Sequence, residues 1–126
     1  MIHLRTLELW GNQLTSLPES IELLMQLELL NLSDNQLESI SHNVGNLSKL
    51  QYLFLDSNQL TSLPESIGQL KNLQALTIVN NQLISLPESI TNLKNSLKVL
   101  DLSDNPIPPS EQAKIRSWLP NTEITF

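Results

Sequence analysis

The residues able to do chemistry in this chain are few. It has two histidines, His3 and His42, no cysteine, thirteen acidic residues and seven basic ones. Lack of cysteine removes disulfides and thiolate catalysis and favours a reducing compartment. Nucleophilic catalysis needs a nucleophile, a base and an orienting group within hydrogen-bond reach. His3 lies near the start and His42 in a stretch that departs from the chain's regular pattern; neither is in register with a serine and an aspartate. Asp101 and Asp104 form a close carboxylate pair, but with no apolar surroundings to separate their proton affinities they read as solvated acids. The segment DLSDNP, Asp101 to Pro106, imitates the start of a calcium loop. It has proline where the sixth-position glycine belongs and Gln112 in place of the bidentate glutamate. No enzyme, metal site or cofactor is therefore expected. The net charge of -6 has the wrong sign for tracking phosphates or anionic lipid, so neither nucleic acid nor a membrane surface is expected as partner. No run approaches the roughly 20 apolar residues of a membrane span. The opening MIHLRTLELWGNQ contains no signal-peptide core.

The remaining residues are positioned by a repeat. Leu50 to Asn72, LQYLFLDSNQLTSLPESIGQLKN, has counterparts starting at Leu4, Leu27 and Leu73, and at Leu97 after one extra residue. A fixed period of 23 residues signals a solenoid. Within a copy, Leu53 and Leu55 alternate with Tyr52, Phe54 and Asp56, which predicts a strand with one buried face. Leu63, Ile67 and Leu70 follow at three- and four-residue spacings, as a short helix burying one stripe requires, and Pro64 suits its N1 position. One strand and one short helix cannot enclose these leucines, so neighbouring copies must stack. Asn12, Asn35, Asn58, Asn81 and Asn105 recur between the arms. An asparagine there can satisfy turn backbone with both its carbonyl and its amide.

In chain order, the first copy turns Leu4, Leu7, Leu9, Leu14, Leu17, Ile21 and Leu24 inward. No capping unit precedes it, which implies a fragment or a covered edge. The second replaces SLPESI with SISHNV and contains Gly45, predicting the least regular convex segment. The fourth absorbs its extra residue near Asn95 or Ser96. The fifth is cut short by Pro106, Pro108 and Pro109. Ser110 then reads as N-cap of a helix through Trp118, and Glu123 to Phe126 as a closing edge strand. Residues 106–126 thus form a cap covering the last copy with Ile115, Trp118 and Leu119, and residues 1–126 a single domain.

Stacking leaves four columns on the concave face: Thr6, Leu29, Tyr52, Ala75, Val99; Glu8, Asn31, Phe54, Thr77, Asp101; Trp10, Ser33, Asp56, Val79, Ser103; and Gly11, Asp34, Ser57, Asn80, Asp104. Three of the five aromatic residues fall there, and no lysine or arginine does. Strands lie about 4.8 Å apart, so Leu29, Tyr52, Phe54 and Val79 would form one apolar patch with Trp10 at its N-terminal side. Glu8, Asp34, Asp56, Asp101 and Asp104 would edge it. An apolar centre inside a charged border is the anatomy of a protein-binding site, here for a partner with a basic surface. The convex Glu19, Glu65 and Glu88 read as a solvated face near helix N-termini. The sequons at Asn31 and Asn46 matter only in a eukaryotic secretory pathway.

The L-x-x-L-x-L-x-x-N-x-L pattern, with L-P-x-x-I-x-x-L-x-x-L at residues 17–27, 63–73 and 86–97, resembles the leucine-rich repeat family over nearly the whole chain. It is similar to the intracellular 23-residue type found in bacteria and in plant Ras-related repeat proteins. The ending IPPSEQAKIRSWLPNTEITF resembles the terminal cap of many bacterial members. The resemblance implies an α/β fold: a right-handed horseshoe solenoid with a parallel concave sheet and short convex helices. It implies a non-enzymatic protein-binding module, monomeric on its own. The compartment implied is cytoplasmic, whether bacterial or, for a translocated effector, the host cytosol. Extracellular members usually carry cysteine-bearing caps, absent here. Ubiquitin ligases with such repeats need a separate domain with a nucleophilic cysteine. Two alternatives follow: a fragment that targets a missing catalytic domain, and self-association through the N-terminal edge.

Overall fold

Each copy alternates leucines with polar or aromatic residues, and each contributes one three-residue strand. In the computed structural model, which describes residues 3–126, these are β1 (Thr6–Glu8), β2 (Leu29–Asn31), β3 (Tyr52–Phe54), β4 (Ala75–Thr77) and β5 (Val99–Asp101). A sixth, β6 (Glu123–Thr125), comes from the cap. All neighbours pair in parallel in the order β1 to β6, so the chain advances one strand per turn of a right-handed solenoid. The central residue of each strand points inward: Leu30, Leu53, Leu76 and Leu100 are fully buried, with Leu32, Leu55, Ile78 and Leu102 beside them. Burying one such leucine contributes about 1.5–3 kcal/mol, which no copy could obtain alone. The fully buried core contains no aromatic ring.

The asparagine column links the turns. Asn58 donates from Nδ2 to the carbonyls of Leu55 and Asp56 in its own repeat and of Leu32 in the previous one, at 3.0–3.3 Å. Its Oδ1 accepts the Leu37 N–H at 3.0 Å, so one buried amide bridges two repeats. Asn35, Asn81 and Asn105 repeat the arrangement. Asn12, on the exposed end, bonds to the Leu9 and Trp10 carbonyls of its own repeat.

The convex side differs from the expected helices. Glu19–Leu23, His42–Asn46, Glu65–Gln69 and Glu88–Leu93 are 3-10 turns of five or six residues. Pro18, Pro64 and Pro87 stand one place earlier than N1, as extended N-cap residues whose carbonyls accept the first turn bond. The second copy is as regular as the others, because Ser41 takes the proline position and its hydroxyl accepts the Asn43 N–H at 3.2 Å. Gly45 is a requirement of packing: a Cβ there would lie 2.8 Å from the Ser66 carbonyl oxygen, and one on Gly68 would lie 2.5 Å from that of Ser89. The extra residue of the fourth copy lengthens its convex turn by one. Leu97 N–H therefore bonds to Leu93, four residues back, where Leu73 bonds to Leu70, three back.

At the C-terminal end, Pro109–Trp118 forms an α-helix, α1. Ser110 lies inside it, and the N-cap is Pro108, with no side-chain bond; a fixed φ at Pro108 and Pro109 starts the helix instead. Ile115 and Leu119 are buried against the last repeat, Trp118 and Phe126 partly so. Arg116 lies 4.7 Å from the Phe126 ring centroid and screens its outer side. At the other end Leu4, Leu7, Leu9, Leu14 and Leu17 are only partly buried, and with Ile21 and Leu24 most of them line an apolar hollow of about 580 Å³.

Two substitutions test this packing. Asn58→Ala leaves the buried Leu37 N–H without a partner and removes one of two donors from each of the Leu32, Leu55 and Asp56 carbonyls, so it is expected to destabilise by about 2 kcal/mol, against under about 1 kcal/mol for Asn12→Ala, in guanidinium titrations. Gly68→Ala should cost about 1–3 kcal/mol, because the Ser89 backbone must move to admit the methyl.

Candidate functional site

The concave face is the outward side of the six strands, and its register follows from the pairing. Thr6, Leu29, Tyr52, Ala75 and Val99 lie side by side, and Glu123 extends this row. Glu8, Asn31, Phe54, Thr77 and Asp101 form the second row, which ends at Thr125. The two β6 members of the face, Glu123 and Thr125, were absent from the columns read in the sequence. The cap strand does not carry the repeat pattern, although its alternation was visible.

The rings of the face remain accessible. Tyr52 is 36% exposed, Val99 38% and Trp10 59%, while Leu29, Phe54 and Val79 are half-buried in the rows. Tyr52 is the direct neighbour of Leu29, and Phe54 lies one place along the same strand face. Val79 stands diagonally beyond Phe54, two residues past its partner Thr77. Trp10 shares the third row with Ser33, Asp56 and Val79, so Ser33 and Asp56 separate it from Val79. Between the ring pair on β3 and Val99 with Asp101 on β5, strand β4 presents only Ala75 and Thr77, which leaves a shallow trough one strand wide.

The third row carries a bonding pattern that sequence reading missed. Four of its five backbone N–H groups meet a side-chain oxygen. Ser33 N–H donates to Asn31 Oδ1 at 3.1 Å, Asp56 N–H to Ser33 Oγ at 3.2 Å, and Val79 N–H to Asp56 Oδ1 at 2.8 Å. Ser103 donates to Asp101 Oδ1 twice, from N–H at 3.1 Å and from the hydroxyl at 2.6 Å. Asp56 and Asp101 are thus half-buried and held in place by one oxygen each. Glu8, at the exposed end, accepts from Asn31 Nδ2 at 3.0 Å.

The fourth column has a backbone explanation. Gly11, Asp34, Ser57, Asn80 and Asp104 all have φ between 54° and 72°, a left-handed conformation that glycine, asparagine and aspartate tolerate best. The residue types at Asp34 and Asp104 therefore follow from the turn, and both carboxylates project from it exposed. His42 sits on the convex turn, on the opposite side of the sheet from the concave serines, and His3 is exposed at the start of the described chain.

A family model described as a leucine-rich repeat region matches residues 39–117, and a second, described as leucine rich repeat, matches residues 2–60. The chain belongs to the leucine-rich repeat family. Among solved structures, this repeat protein is similar to a leucine-rich repeat protein of Leptospira interrogans, at 36% identity and a TM-score of 0.83 over 99% of its length. It is also similar to an internalin of Listeria monocytogenes, at 30% identity and a TM-score of 0.79 over 98%. It spans 38% and 35% of those two chains, a little over a third of their length. No curated protein matches it. Repeat proteins of this family are generally protein-interaction modules, and typically not enzymes. Among the described residues no helix is long and apolar enough to cross a membrane.

One polar atom of the face stands apart. The Thr77 hydroxyl, in the trough, is shielded from solvent and has no hydrogen-bond partner among the described residues. Thr77→Val removes that unmet group with little change of shape, so the unfolding free energy is expected to rise by about 1 kcal/mol in denaturant titrations.

Proposed function

We propose that the concave sheet face docks on a protein partner with a basic surface, and that the chain is a non-enzymatic binding module. Trp10, Leu29, Tyr52, Phe54 and Val79 supply the apolar contacts, and Glu8, Asp34, Asp56 and Asp101 the acidic border. The observation that supports this most directly is the register: Tyr52 beside Leu29, with Phe54 next along β3, on a rigid surface whose rows contain no cation. Exposed rings with two rotatable bonds lose little entropy on contact, so they are effective anchors. The bacterial source of both similar structures favours a bacterial binding protein, acting in the cytoplasm or delivered as an effector into a host cell. If the partner is an enzyme, occlusion of its active site is the corresponding mechanism.

A second reading is a targeting segment of a longer protein with its own catalytic domain. It is favoured by the fact that this chain spans little more than a third of the structures it matches. Both readings use the same face. In a pull-down with mass-spectrometric identification, the Tyr52→Ala/Phe54→Ala double variant should keep its melting temperature and lose the partner, with each ring worth on the order of 30-fold in affinity. Unchanged partner recovery rejects the concave reading.

A further inference from the structure

The charge on two of the concave carboxylates exceeds what the fold needs. Four third-row N–H groups require a side-chain acceptor, and two of the four acceptors are neutral. The Ser33 hydroxyl serves Asp56 by the same cross-strand bond through which the Asp56 carboxylate serves Val79. The Asn31 amide serves Ser33 as the Asp101 carboxylate serves Ser103, at the same distance of 3.1 Å. A neutral group therefore accepts the equivalent N–H bond elsewhere in the same sheet, and the bond from the Ser103 hydroxyl to the same Asp101 oxygen is the one task without a neutral counterpart; the backbone itself does not call for the negative charge.

Neither carboxylate has a cationic partner among the described residues. The ion pairs among the described residues are Arg5 with Glu28 and Lys114 with Glu111, neither in the concave rows. Beyond Asp101, β6 adds the exposed Glu123, paired with Val99 and hence diagonal to Asp101, at about 7–8 Å. The face is consequently divided. Leu29, Tyr52 and Phe54 form an apolar zone, Asp101 and Glu123 an acidic zone, and the small residues Ala75 and Thr77 lie between. The zones are two strand spacings apart, about 10 Å.

We infer that the face recognises a polypeptide segment presenting an apolar side chain and, about 10 Å away, an arginine or lysine. The apolar group rests on Tyr52 and Phe54. The hydrocarbon stem of the basic residue lies along the β4 trough against Val99, and its head pairs with the unoccupied oxygen of Asp101 and with Glu123. A long cationic side chain suits this course because its stem is apolar and only its tip carries charge. The inference rests on the concave-binding reading and adds the chemistry of what is bound.

A random dodecapeptide display library selected on the immobilised chain supplies the probe, and fluorescence anisotropy of the enriched peptides the readout. Enriched peptides should combine an apolar residue with arginine or lysine. Asp101→Asn and Glu123→Gln should each weaken them roughly 10-fold, and raising sodium chloride from about 0.05 to 0.5 M should weaken the wild-type complex similarly. Asp101→Asn keeps the acceptor for Ser103, as Asn31 does for Ser33, and should fold normally by circular dichroism. Glu123→Gln and the salt series carry the test if it does not. Peptides lost on Tyr52→Ala/Phe54→Ala but indifferent to Asp101, Glu123 and salt overturn this inference and leave the concave reading standing. Peptides indifferent to the rings overturn both.

Discussion

Each buried asparagine amide holds two turns of the chain together, and the regularity of everything else depends on that bond. The turn after each strand leaves peptide groups such as the Leu55 carbonyl and the Leu37 N–H with no backbone partner, and burying them unmet would cost about 1–3 kcal/mol apiece. Asn35, Asn58, Asn81 and Asn105 meet them from the side, reaching into the repeat before their own. Because the reach is the same at every step, the strands stay in register and the leucines stack level by level.

A rigid register has consequences on both surfaces. On the convex side the 3-10 turns approach so closely that Gly45 and Gly68 stand where any side chain would meet the next turn's backbone. On the concave side the sheet becomes a fixed grid, on which Tyr52 falls beside Leu29 and Asp101 beside Thr77 whatever those side chains are. Function in such a fold is written on the grid, since substituting a concave residue leaves the leucine interior untouched. The exceptions are the side chains that also serve the backbone: Asn31, Ser33, Asp56 and Asp101 each combine a place on the surface with a hydrogen bond that the sheet uses.

That double role explains how far the candidate site could be read in advance. The alternation of leucines with Tyr52, Phe54 and their counterparts was enough to assign the faces, because strand geometry leaves only two sides. It could not distinguish a solvated aspartate from one bonded to Val79, since that bond joins residues 23 positions apart in sequence. Nor could it show that Asp34, read as part of the acidic border, also suits a backbone φ of 57°. Glu123 was legible as part of the closing strand but not as a member of the concave face, because its neighbour Val99 lies across a helix and a loop.

What the amino-acid order determined unaided was the period, the inward leucines, the asparagine column and the closing strand, all consequences of spacing along one turn of chain. What tertiary structure alone decided was how closely successive turns approach. That distance makes the convex segments 3-10 turns, places the prolines as N-caps, turns Gly45 from a weakness into a necessity and leads four third-row amides to their acceptors. The physical reason is that spacing records which side of the backbone a residue occupies, while clearance and hydrogen-bond partnership depend on atoms brought near from about one repeat away.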